Sequence, residues 1–250
     1  MPGFFGKLPA RGDFVTRDLP RAFLSVFDDW FQQGIQSSKK ELTDAWFDYY
    51  QVMPVWHFYI GEGVLGEAWL GTWIPSADKV NRSFPILMAA RVSPVPNVGD
   101  FLGYRNWFVD SGDLLIQGLE GTVTFEQFCQ ECVDLVPEKE VTGQALLAEI
   151  VDDIQNSRAT DDQVNQLDAK LARLKPFLGS GSNQEGEQLA PELLGLHINT
   201  DSCRNKMIRS TNAVFWSEGG ENIAEQLVIT EQLPEAREFA KFLRGFDTRA

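Results

Sequence analysis

Between Pro54 and Val92 three apolar runs follow one another with only short polar breaks, and this spacing restricts the fold more than any other feature of the chain. The runs are residues 54–60 (PVWHFYI), 65–74 and 84–92, rich in β-branched and aromatic residues. Gly61 and Gly63 stand in the first break, and a polar stretch centred on Ser76 to Ser83 fills the second. Runs of this composition bounded by turn formers read as strands. A parallel neighbour would need a crossover of about a dozen or more residues. Neither break is that long, so the three strands are expected to pair as an antiparallel meander.

Helical periodicity surrounds this block. Phe23, Phe27, Trp30 and Phe31 recur three and four apart after the start signal of Asp18 and Pro20, and a second helix is expected over 41–50, carrying Trp46 and Tyr50. Residues 101–119, 125–136, 142–155 and 161–174 repeat the pattern, with capping sequences at Thr124–Gln127 and Thr160–Gln163. A glycine- and serine-rich loop occupies 179–188, short strands are expected at 4–8, 195–199, 212–218 and 226–229, and an amphipathic helix at 234–246. Strands flanked by this many helices predict an α/β protein, and residues 1–250 read as one domain.

Charge narrows the partners. A formal net charge of -14 is unsuited to nucleic acid, which selects basic surfaces, and to anionic lipid. The first residues are basic on balance (Lys7, Arg11, Arg17, Arg21), and the middle of the chain is acidic. The opening MPGFFGKLPARGDF lacks a long apolar stretch, no run is long enough for a bilayer, and three cysteines suit a reducing compartment. The expected location is cytoplasmic.

Signatures of chemistry are weak. Cys129 and Cys132 form a single CxxC pair inside a helical segment, and no second pair or nearby histidines complete a zinc site. His57 lies within an aromatic strand, where a packed imidazole is expected. No serine sits in a GxSxG elbow, and GxxxxGK[ST] does not occur. No cofactor or metal is called for. Two charged loops remain, one carrying Lys7, Arg11 and Asp13, the other Ser76, Asp78 and Arg82. Asp78 and Arg82, four apart, could pair internally or present a charged fork outward. These six residues are the candidates for partner binding.

Taken together, GFFGKLPARGDF, PVWHF, PSADKVNRSFP and NAVFWSEGG resemble the TagF family (also called ImpM) of type VI secretion system-associated proteins. The likeness is densest over residues 3–91 and returns at 212–220. Two departures stand out: His57 where the family often has Arg, and Asn81 where it often has Gly before the loop arginine. The resemblance implies a three-layer α/β/α sandwich around a mixed sheet that contains the meander. It also implies a non-enzymatic, cytoplasmic, post-translational repressor of type VI secretion that binds the forkhead-associated scaffold protein of that system. Some relatives carry a phosphatase domain, whose metal-binding pattern is absent from this sequence. The competing reading is an enzyme acting on a phosphorylated or nucleotide substrate, with Lys7, Arg11 and Arg82 clamping the anion. A third is a structural subunit of the apparatus.

Overall fold

The computed structural model describes residues 1–139, 206–220 and 223–246. The described elements belong to one compact unit, built from residues 1–138 together with the C-terminal part of the chain. Seven strands form its sheet: β1 (Gly3–Gly6), β2 (Val15–Arg17), β3 (Trp56–Ile60), β4 (Trp69–Ile74), β5 (Ile86–Arg91), β6 (Ala213–Ser217) and β7 (Gln226–Thr230). Their spatial order is β2-β1-β5-β4-β3-β6-β7. The expected meander is present as β3, β4 and β5, with Phe58 opposite Gly71 and Trp73 opposite Leu87. Every pairing among the described strands is antiparallel, where the resemblance had implied a mixed sheet.

Each strand separates two cores. Trp56, Phe58 and Ile60 point to one face with Trp69, Trp73, Leu87 and Phe215, beneath α1 (Arg21–Leu42), α2 (Trp46–Gln51) and α7 (Phe239–Arg244). Tyr59, Leu70, Met88, Val214 and Trp216 point to the other, beneath α4 (Val98–Leu102), α5 (Arg105–Glu120) and α6 (Phe125–Asp134). The result is the expected α/β/α layering. It also explains why PVWHFYI shows no polar alternation. With both faces covered, every side chain of β3 is buried, and an antiparallel strand acquires the composition usual for parallel ones.

Several boundaries moved for local reasons. The strand expected from Leu65 begins at Trp69, because Glu62–Leu65 forms a one-turn helix, α3, closed by Gly66 at φ 80°. The helix expected over 101–119 is split at Gly103 and Tyr104 into α4 and α5, and Asn97 caps α4 by accepting from the Asp100 amide. The helix expected over 41–50 begins at Trp46, because α1 continues to Leu42 and turns at Thr43–Ala45. Thr124 and Gln127 form the reciprocal capping box of α6. Strand β2 was not foreseen; three residues carry too little pattern to declare it. The elements expected at 142–155, 161–174, 179–188 and 195–199 lie outside the described residues.

One glycine is essential to this packing. Gly71 lies directly under the Phe58 ring, and an added Cβ would collide with that ring. Phe58 is in turn fixed against Phe27 of α1, with ring centroids 5.1 Å apart. Gly71→Ala is therefore expected to cost about 1–3 kcal/mol, the usual penalty of overpacking. Phe58→Leu should recover part of that loss in the Gly71→Ala background but cost stability by itself. Thermal melts of the four proteins in that cycle are the check.

Candidate functional site

The two charged loops are far apart in sequence and adjacent in space. Strand β1 pairs with β5, placing Gly6 opposite Ile86, so the loop leaving β1 and the loop entering β5 emerge at the same end of the sheet. Backbone hydrogen bonds tie them: Lys7 N–H donates to Pro85 O at 3.3 Å and Lys79 N–H to Arg11 O at 3.1 Å.

The carboxylate of Asp78 organises both loops. Its Oδ2 accepts from Lys7 Nζ at 3.0 Å and from Arg82 Nε at 2.6 Å. Its Oδ1 accepts from the amides of Val80 at 3.1 Å and Arg82 at 2.9 Å. These donors occupy the roughly four lone-pair positions of an ionised carboxylate. The side chain is 0% exposed, and that of Lys7 only 8%, whereas that of Arg82 is 62% exposed. Burial by itself would raise the Asp78 pKa. The Arg82 amide, the Lys7 ammonium, the Arg82 guanidinium and the Val80 amide outweigh it and hold the carboxyl well below the usual range. Asp78 thus contributes stability above its ordinary pKa that is lost as pH falls through its lowered folded value.

Neighbouring residues complete the brace. Ser76 Oγ donates to Lys7 O at 2.6 Å, and the Tyr50 hydroxyl both donates to Ser76 O and accepts from its amide. Asn81 takes φ 61°, a left-handed conformation that glycine and asparagine tolerate best. This accounts for the departure noted above: Asn and Gly at that position satisfy the same backbone requirement. Arg82 also donates through Nη2 to Gly12 O at 3.2 Å, locking the first loop to the second.

The six candidates therefore divide. Lys7, Ser76 and Asp78 are buried and brace the loops, so their side chains do not form an outward surface. Arg11, Asp13 and Arg82 are exposed and lie on the adjoining loops. Arg11 lies over the Phe125 ring at 4.1 Å and makes a long, exposed contact with Glu126 at 3.8 Å. Of the two roles open to Asp78 and Arg82, internal pairing is the one observed, although the outer part of Arg82 still faces solvent. Three surface residues escaped sequence reasoning: Phe14, Lys79 and Val80. An apolar residue next to a charged turn gives no sign in sequence of whether it packs inward.

Other candidate chemistry is absorbed by the core. His57 Nδ1 lies 2.9 Å from Thr72 Oγ1, which lies 2.6 Å from Ser111 Oγ, which donates to Phe108 O. Both hydroxyls are fully buried, and the imidazole packs between Phe108 and Trp216. A serine enclosed in this way offers no access to a substrate. Cys129 and Cys132 are free thiols in the core, and burial, then Cys129 and Asp18, push Cys132 up to about 12. Among the described residues no three His, Cys, Asp or Glu side chains gather as a metal-ligand set.

Two outcomes follow from these buried groups. Lys7→Met removes one of the donors to the buried Asp78 carboxylate, leaving Arg82 and the Val80 amide, and is expected to cost about 1–3 kcal/mol, the penalty of an under-satisfied buried polar group. Arg82→Ala should cost less, because that side chain is largely in water. Urea unfolding of both variants is the check. Burial lowers the His57 pKa from 6.5 to about 3, so the unfolded chain binds a proton there that the folded protein refuses. Its contribution is complete above pH 6.5 and is lost as pH falls towards 3, with a limiting slope of about 1.4 kcal/mol per pH unit. Unfolding free energies between about pH 5 and 7, with the His57 imidazole followed by NMR, test this; a resonance that titrates near 6.5 in the folded protein contradicts it.

Comparison with known proteins adds the identity of this framework. No curated protein matches the chain. The crystal structure of PA0076 from Pseudomonas aeruginosa PAO1 superposes with a TM-score of 0.67 at 28% sequence identity, over 100% of this chain and 97% of that one. A family model described as the TagF N-terminal domain, type VI secretion system-associated, matches residues 3–135, more than half of the chain and all of both braced loops. The chain belongs to the TagF family of type VI secretion system-associated proteins.

Proposed function

We propose that this protein is a cytoplasmic, post-translational repressor of type VI secretion that works by binding, not by catalysis. Its target would be the forkhead-associated scaffold protein of the system. The observation that carries this reading is the loop pair itself: two exposed loops held in one conformation by a fully buried carboxylate. A surface fixed before contact loses little conformational entropy on association, which favours recognition. A repressor of this kind lowers the free concentration of a required component by mass action.

The competing enzyme reading needs Lys7, Arg11 and Arg82 to converge on one anion. Lys7 instead turns inward onto Asp78, and Arg11 stacks on Phe125. The binding reading therefore accounts for more of the geometry. Among the described residues no helix is long and apolar enough to cross a membrane, which agrees with a protein that meets its partner in solution.

Calorimetric titration of the full chain with the purified scaffold protein is expected to give a saturable complex. Overproduction of the chain in a secreting host should lower secreted substrate without lowering the amounts of the apparatus components. Absence of any heat or co-elution at about 100 μM, a concentration at which even weak transient complexes associate, would refute sequestration.

A further inference from the structure

The crest of the second loop is cationic and apolar at once in a chain of net charge -14. Lys79, Val80, Asn81 and Arg82 are all exposed, Val80 by 67%, and Phe14 beside them by 43%. Phe14 is held in place, stacked on Phe5 at 5.7 Å and edge-on to Phe84 at 4.8 Å. Val80 makes no such contribution to the core. Lys79 has no ion pair among the described residues, and Arg82 spends Nε on Asp78 and Nη2 on Gly12 O. Nη1 of Arg82 finds no partner among the described residues, so one end of a guanidinium that is already immobilised remains available. Of the acidic groups nearby, Asp78 is shared between Arg82 and Lys7, Asp13 is turned to the Phe14 amide, and Glu126 faces Arg11.

We infer that this crest recognises an acidic, extended segment of the protein partner in which a carboxylate neighbours an apolar residue. Arg82 and Lys79 receive the carboxylate, and Val80 with Phe14 receives the apolar side chain. The inference rests on the binding reading above and names the chemistry of the partner. Charge complementarity selects the occupant: in a chain of net charge -14, unpaired Lys79 and the free end of Arg82 attract an acidic segment to the crest. Pinning of Arg82 removes much of the rotamer entropy that a free arginine would lose on contact.

The test uses the full chain, a short synthetic peptide of alternating glutamate and leucine, and the scaffold protein. In amide NMR spectra at low salt the peptide is expected to perturb Gly12 to Phe14 and Lys79 to Arg82. Lys79→Glu should weaken peptide binding by about tenfold, or about 1.4 kcal/mol, and Val80→Ser should also weaken it, while both variants melt like wild type. Higher salt should reduce the affinity, since exposed charges are screened. Excess peptide should displace the scaffold protein. Perturbations elsewhere, equal binding of a glutamine–leucine peptide, or scaffold binding that the peptide does not compete would overturn the inference while leaving the binding reading intact. Peptide binding at the crest without any scaffold complex would support the crest chemistry and refute the scaffold as target.

Discussion

Covering the central sheet on both faces is the constraint on which the rest of the structure depends. A strand with one wet face can alternate polar and apolar residues, but β3, β4 and β5 are buried on both sides, so they are mostly apolar and their buried polar residues, His57 and Thr72, lie within hydrogen-bonding distance of each other. Aromatic side chains meet that demand with few residues. Trp30, Phe31, Trp73, Phe239 and Phe242 form a continuous set of edge-on and tilted ring contacts that joins α1, β4 and α7. Such pairs favour edge-on and offset geometries, so the cluster fixes helix positions as well as excluding water. Glycines at the tightest crossings complete it, as where Gly34 of α1 admits the Phe239 ring. Three indole N–H groups donate to backbone carbonyls, Trp30 to Pro234 O, Trp56 to Phe242 O and Trp107 to Leu135 O, whereas the buried Trp73 Nε1 has no partner among the described residues.

That rigid sheet makes a polar brace possible at its end. The β1–β5 pairing delivers Lys7 to a carboxylate 71 positions away in sequence. A buried ion pair is a poor source of net stability because desolvating both charges nearly cancels their attraction. Its value here is geometric. With all of its acceptor positions occupied, Asp78 leaves the two loops a single arrangement, and it does so next to exposed residues that a partner could meet. Lys7, Ser76 and Asp78, candidates for contact by sequence, thus hold the exposed residues of the two loops in position.

Much of this was legible beforehand where local chemistry decides structure. The meander followed from short breaks between aromatic runs, α1 from its apolar spacing, and the α6 start from Thr124 and Gln127. The left-handed turn at Asn81 was also consistent with its residue type. Short elements were less legible. Strand β2 and helix α3 have too few residues for periodicity to speak. Candidate site residues were chosen by charge and loop position, and this criterion picked two loops that the fold brings together. It could not separate Lys7 and Asp78 from Arg82, because all are charged and all sit in turns.

By itself, then, the sequence determined the α/β class, the antiparallel order of three central strands, the acidic balance and the two loops that carry charge, since these depend on composition and on neighbours within a few residues. Tertiary structure alone decided that β1 lies beside β5, that Lys7 turns inward while Arg82 remains half outside, and that Phe14 and Val80 stay in water. The reason is that burial is a property of the assembled layers. A lysine or a valine carries the same side chain in either setting, and only the packing of sheet against helices determines which side of the boundary it occupies.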